Sequence, residues 1–260
     1  MTGRVLTERQ GHVGLLTFDH QARRNAITAD MWHAIPEAVA EFAADDEVRV
    51  VVMRGAGDVA FVAGADISEF EQMRSGAEAE AYDASNTTAF AALSALEKPL
   101  IAMIHGFCIG GGVAIALTAD MRYSADDGVF AIPAARLGLG YFMSGLDTLR
   151  QVVGFAAAKE IFFTADRFDA ARALRMGLLT DVYPKGELEA QVMERAERIA
   201  RNAPLTLRAA KIAMQELMRP AQARDEARVS AAISKCYTSE DYKEGVGAFL
   251  QKRAARFSGR

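Results

Sequence analysis

The chain has 260 residues, a formal net charge of −4 and 51% hydrophobic residues, enough apolar material for a sizeable core and too much for a disordered chain. No Lys/Arg cluster is interleaved with aromatics, which argues against a nucleic-acid partner. The two cysteines, Cys108 and Cys236, lie far apart and outside any metal-ligand spacing, which argues against a disulfide framework or a metal site and fits a reducing cytoplasm.

Residues 1–20 show polar interruptions rather than a signal-peptide core. Residues 4–8 and 12–18 predict two strands joined as a hairpin at Gln10–Gly11. Thr28 then reads as the N-cap of a helix whose inner face carries Met31, Ile35, Val39 and Phe42, with a kink expected at Pro36. VRVVVMRG (48–55) is a continuous β-branched run of the buried-strand kind. A Gly/Ala-rich loop (57–70) leads to a long helix (78–97), and LIAMIHG (100–106) is a second buried strand. A glycine triplet, Gly110 to Gly112, opens the next helix. The window Leu100–Ala119 is nearly all apolar, but His105 and the triplet divide it, so it reads as strand, turn and helix rather than a membrane span. Short strands follow at 121–126 and 129–132. Beyond about 144 the pattern is mostly helical, with one apolar run at 177–184 and three or four helices over 187–260. The sum is an α/β core of some 200 residues with a helical C-terminal segment.

Three segments carry candidate chemistry. Backbone N–H groups at a helix start lack intrahelical partners, and glycine admits a ligand close to the backbone, so the triplet is a place for a negative oxygen. Tight packing of a helix on a sheet explains the same glycines. No Gly-Lys-Ser/Thr or Gly-x-Gly-x-x-Gly pattern supports a phosphate loop there. AFVAGAD (60–66) has the same strand, small-residue, helix grammar and offers a second N–H, so that the two donors together would form an oxyanion hole. IPAARLGLGYFMSGLDTL (132–149) reads as a pocket-lining loop, with Arg136, Tyr141, Ser144 and Asp147 as its polar groups; Phe142 and Met143, and Met73 from an earlier segment, are candidates for apolar pocket lining.

RRNAIT (23–28), AFVAGADISEF (60–70), HGFCIGGG (105–112), ADMRYSADD (119–127) and AFLQKRAARF (248–257), in this order, resemble the crotonase (enoyl-CoA hydratase/isomerase) superfamily over essentially the whole chain. The resemblance implies an α/β fold with a ββα spiral acyl-CoA-binding core (1–200) and a helical C-terminal trimerisation segment (201–260), assembled as a homotrimer or a dimer of trimers. It implies an acyl-CoA thioester as substrate, coenzyme A being part of that substrate rather than a separate cofactor, and no metal. By motif position the oxyanion donors are Ala65 and Gly111. Coenzyme A contacts fall at Ala22, Arg23, Arg24, Ala63, Asp66, Ile67 and Ser68, and at Phe249 and Lys252, the last two reaching a neighbouring subunit. Ser68 stands where well-studied hydratases of the family have a lysine.

The hydratases use two glutamates to hold and deprotonate water. Here those positions are Ala114 and Ala134, and a positioned acid or base contributes about 10²–10⁴ in rate. Ordinary hydration is therefore not expected. Glu69, Asp66, His105 and Asp147 are the titratable groups weighed as replacements: Glu69 and Asp66 read as carboxylates at a helix start facing solvent, His105 as a structural histidine at the end of a buried strand, and Asp147 as the candidate to point inward, with Tyr141 a candidate for placing a carboxylate or a proton. LGLGYFMSG (137–145) and SEDYKEGVGAFLQKR (239–253) are similar to the methylmalonyl-CoA decarboxylase branch, although that enzyme has a histidine at the position of Ala65. The alternatives are decarboxylation of a malonyl-type thioester and acyl-CoA binding without catalysis.

Overall fold

The computed structural model describes residues 3–66 and 77–260. β1 (Arg4–Gln10) and β2 (Val13–Asp19) form the expected hairpin, with Gln10 opposite Val13 and Gly11 at φ +60° in the turn. α1 (Ala29–Ala44) begins at Thr28, whose hydroxyl accepts from the Met31 N–H at 3.3 Å. It is one element to its end, so Pro36 lies inside the helix without dividing it. Its buried face is wider than the expected stripe and includes Trp32.

From residue 50 the chain repeats one unit three times. A strand enters a six-stranded sheet, a shorter strand enters a four-stranded sheet, and a helix follows. β3 (Val50–Gly55), β4 (Ala60–Val62) and α2 (Ala77–Ala95) make the first turn; β5 (Leu100–Ile104), β6 (Phe107–Ile109) and α3 (Gly111–Leu117) make the second. β7 (Met121–Ala125), β8 (Val129–Ala131) and α4 (Met143–Thr164) make the third. β9 (Phe168–Asp169), α5 (Ala170–Arg175) and β10 (Asp181–Tyr183) follow. The sheets order as β1-β2-β3-β5-β7-β10 and β4-β6-β8-β9.

The buried-strand runs divide by period two. Leu16, Phe18, Val51, Met53, Leu100 and Ala102 face the main core with α1 and α2, while Val13, Leu15, Val50, Val52 and Ile101 face the other way. That second face is covered by α6 (Leu188–Ala200) through Leu188, Val192, Ala196 and Ala200, spaced one helical turn apart. The chain ends in α7 (Pro204–Leu217), α8 (Glu226–Tyr237) and α9 (Glu240–Leu250).

The strand expected over 100–106 is shorter, and a new strand starts just beyond it. Gly106 takes φ +54°, and a β-carbon there would stand 1.9 Å from the Val59 carbonyl oxygen, so the chain turns at this glycine from one sheet to the other. Within the apolar run at 177–184 only Asp181–Tyr183 form a strand, β10. Among the described residues no helix is long and apolar enough to cross a membrane.

Candidate active site

The loop that carries Arg24 is fixed by a buried asparagine. Asn25 Nδ2 donates to the carbonyls of Ala56 (2.9 Å) and Ala60 (2.7 Å), and its Oδ1 accepts from the His20 N–H at 3.0 Å. Ile27 then pairs with Ala65 as in a parallel ladder: its N–H donates to the Gly64 carbonyl at 2.8 Å, and its carbonyl accepts from the Asp66 N–H at 2.9 Å. In that pattern the N–H of Ala65 itself points away from Ile27.

The Ala65 nitrogen lies beside the glycine triplet. Each of the three glycines is there for a different reason. Gly110 takes φ +53°, and its N–H donates to the Ala131 carbonyl at 2.8 Å. A β-carbon on Gly112 would stand 2.1 Å from the Val62 carbonyl oxygen, so α3 lies against β4 with no room for a side chain. A β-carbon on Gly111 meets only ordinary contacts, 3.6 Å from the Ala65 nitrogen and 3.6 Å from Trp32 Cζ2. Gly111 is the first residue of α3, so its N–H has no partner within the helix. The middle glycine thus leaves open the space beside a second outward N–H.

Trp32 is fully buried under this point. Its Nε1 donates to the Tyr82 hydroxyl at 3.1 Å, and Phe90 packs edge-on against it at 5.3 Å. Phe90 also borders a cavity of about 270 Å³ between α2, α3 and α4, lined as well by Gly110, Ala114, Ile132, Tyr141 and Phe162. Tyr141 stands edge-on to Phe162 at 4.9 Å. Among the described residues the lining holds no Asp, Glu, His, Lys or Arg; its polar groups are hydroxyls such as Thr118 and Ser144.

Ala114 therefore borders the cavity, while Ala134 is buried in the turn beside it, its carbonyl accepting from the N–H groups of Leu137 and Leu139 at 3.0 Å each. Asp147 does not line the cavity. Its carboxylate accepts from Arg150 Nε at 2.8 Å and Gln151 Nε2 at 2.7 Å, side chains one turn along α4. Arg136 pairs with Asp166 at the surface. Phe142 and Met143, expected as pocket lining, are strongly exposed. His105 follows β5 and does not line the cavity, and burial pulls its imidazole below the usual range, against a smaller opposing pull from Asp127.

Of the expected coenzyme A contacts, Ala22 and Arg23 sit in an exposed 3₁₀ turn. The Arg24 carbonyl accepts from the Ala63 N–H at 3.1 Å, which ties that turn to the segment before Ala65, and Asp66 is buried just after it. Ile67, Ser68, Glu69 and Met73 lie outside the described residues. Phe249 and Lys252 are exposed at the end of α9 and do not reach the cavity of their own chain. Sequence reasoning missed Trp32, Phe90 and Phe162. Trp32 adjoins Met31 on the helix, and the expected four-residue stripe was too narrow to include it.

A family model described as "Enoyl-CoA hydratase/isomerase" matches residues 8–260. The short-chain-enoyl-CoA hydratase of Clostridium acetobutylicum is 34% identical over 249 residues, covering 96% of this chain and 95% of that protein. The crotonyl-CoA hydratase of Syntrophomonas wolfei is 34% identical over 253 residues, 97% of each. A solved structure described as an enoyl-CoA hydratase/carnithine racemase from Magnetospirillum magneticum superposes with a TM-score of 0.92 at 34% identity, covering 98% of this chain and 96% of that one.

Proposed function

The chain belongs to the enoyl-CoA hydratase/isomerase family, and on that footing we propose that it stabilises an enolate-like anion of an acyl-CoA thioester with the N–H groups of Ala65 and Gly111. The observation that carries this reading is the open point beside Gly111, 3.6 Å from the Ala65 nitrogen, next in the chain to Gly110, which lines an apolar cavity. A thioester oxygen placed there gains two fixed donors as its charge develops, and an apolar wall strengthens both.

The reaction is not two-glutamate hydration. Ala114 and Ala134 cannot hold or deprotonate water, and Asp147 is turned to Arg150 and Gln151. A second reading is supported by the cavity's uncharged lining and by Tyr141 in its wall. In a malonyl-type thioester the bond to the carboxylate breaks, its electron pair moves to the thioester oxygen, carbon dioxide leaves, and the carbon then takes a proton. This sequence needs no base, and a dry wall favours loss of the charged carboxylate. Coenzyme A enters as part of the substrate, and neither reading calls for a separate cofactor or a metal. We also propose assembly as a trimer or a dimer of trimers through the exposed apolar residues of α8 and α9, among them Ile233, Tyr237, Val246 and Leu250, and a cytoplasmic setting.

The test is the infrared difference spectrum of hexanoyl-CoA carrying a ¹³C-labelled thioester carbonyl, bound to the protein. The carbonyl band shifts to lower frequency on binding, and the shift is lost in Gly111→Ala. A band that stays at its solution position in bound wild-type protein contradicts the reading.

A further inference from the structure

The cavity between α2, α3 and α4 has a far end with a chemistry of its own. α3 starts at Gly111, beside the Ala65 nitrogen, and closes at its C-cap Thr118, about 10 Å further along the helix. Thr118 lines the cavity, and so does Ser94 in the last turn of α2. The segments that follow these two helices meet: the Leu100 N–H donates to Asp120 Oδ2 at 2.7 Å, and the Asp120 N–H donates to the Leu100 carbonyl at 2.8 Å. α7 reaches the same end, where Gln215 Nε2 donates to the Ser94 carbonyl at 2.8 Å.

Two helix C-termini bring partial negative charge and carbonyls without intrahelical partners to this end. The threonines of the lining add acceptors. Thr118 Oγ1 donates to the Ile115 carbonyl at 2.7 Å, Thr148 Oγ1 to the Ser144 carbonyl at 3.0 Å and Thr87 Oγ1 to the Asp83 carbonyl at 2.8 Å. Each hydroxyl proton is spent on its own helix, so a ligand meets oxygen lone pairs. Among the described residues the lining has no Lys or Arg, and the nearby Lys211 is bound to Asp120 and the Lys98 carbonyl. A carboxylate held here lacks a cation, and the Ser94 hydroxyl does not replace its hydration. An ammonium lacks a free carboxylate, since Asp120 is already paired. A neutral hydroxyl suits the place, because it donates to an acceptor and carries no charge to desolvate.

Length follows from two estimates. An extended chain advances about 1.2 Å per bond, so about 10 Å is about eight bonds. The cavity of about 270 Å³ holds about nine groups of water size at about 30 Å³ each. Eight carbons and a terminal oxygen satisfy both. We propose that the cavity takes an acyl chain of about this length ending in a hydroxyl, which donates to Thr118 Oγ1, and that it discriminates against a chain ending in a carboxylate. The inference rests on the acyl-CoA reading above and names the acyl group.

Isothermal titration of the full-length protein with octanoyl-CoA, 8-hydroxyoctanoyl-CoA and 7-carboxyheptanoyl-CoA tests it. The hydroxy thioester binds at least as tightly as octanoyl-CoA and at least tenfold more tightly than the carboxy thioester. Thr118→Val weakens the hydroxy thioester about tenfold, the loss of one hydrogen bond, and changes octanoyl-CoA less than twofold. Thr118→Ser keeps the wild-type preference. A carboxy thioester that binds as tightly as the hydroxy one overturns the proposal. So does Thr118→Val with the hydroxy affinity unchanged, or with an equal loss toward octanoyl-CoA; both leave the acyl-CoA reading standing. Wild-type protein that binds none of the three thioesters defeats the acyl-CoA reading and the proposal with it.

Discussion

A β-carbon added to Gly111 would stand 3.6 Å from the backbone nitrogen of Ala65 and meet nothing closer. Its neighbour Gly112 differs, because a β-carbon there would run into the Val62 carbonyl at 2.1 Å. The two glycines therefore separate function from folding. Gly111→Ala keeps stability to within about 1 kcal/mol, alanine being the better helix former. It fills the space beside the donors, and turnover falls about 10²–10³-fold, as for loss of one oxyanion donor. Gly112→Ala forces α3 off β4 and lowers stability by about 2–3 kcal/mol. Thermal unfolding and turnover on one acyl-CoA substrate check both; equal effects in the two variants contradict the assignment.

Tyr141 packs edge-on to Phe162 in the cavity wall. Tyr141→Phe keeps that packing and changes stability by less than about 1 kcal/mol. If the tyrosine places a carboxylate or delivers the proton, turnover of a malonyl-type thioester falls about 10²-fold or more. Unchanged turnover in this variant removes Tyr141 from the chemistry.

How much of this was legible in the sequence follows from the length of each signal. The runs at 50–53 and 100–104 carry enough apolar residues to mark buried strands, and Thr28 marks a helix start by its own chemistry. β4, β6 and β8 have three residues each, too few to show a period; the short strands read at 129–132 and at the start of AFVAGAD match β8 and β4, whereas β6, which begins just after the turn at Gly106, and the pairing of all three in a second sheet left no signal. The two donor positions rest on motif resemblance, because a backbone N–H leaves no side-chain signature. The hydrogen bonds of Asp147 to Arg150 and Gln151 were legible in the spacing, since these residues stand three and four positions on, within reach on one helix face.

A buried ion pair ties α7 to the residues just before β5 and β7. Lys211 on α7 is buried, and its Nζ donates to Asp120 Oδ2 at 2.8 Å and to the Lys98 carbonyl at 2.8 Å. Asp120 Oδ2 also accepts from the Leu100 N–H at 2.7 Å. Asp120→Asn leaves the ammonium buried beside a neutral amide, and stability falls by about 3 kcal/mol. Adding Lys211→Met removes the stranded charge and recovers part of that loss. Denaturant unfolding of the two single variants and the double checks this, and a change under about 0.5 kcal/mol in Asp120→Asn contradicts it.

His105 gives the fold a pH dependence of definite sign. Burial lowers its pKa in the native state from the ordinary value of 6.5, so the unfolded chain takes up a proton that the native state refuses. Its contribution is complete above pH 6.5 and is lost as pH falls below that value, until the lowered native pKa is reached. His105→Asn flattens the stability curve between pH 7 and 5. An unchanged slope assigns that acid sensitivity to other groups.

The most direct test of the central claim is the turnover of crotonyl-CoA by the purified wild-type protein, followed by loss of the conjugated thioester absorbance, with binding of the same thioester measured alongside. Two positioned glutamates are absent, each worth about 10²–10⁴ in rate. The account predicts tight binding with hydration slower by at least that factor than in a hydratase that has both acids. Rapid hydration at a rate typical of such enzymes contradicts it, and places an acid and a base where Ala114 and Ala134 leave none.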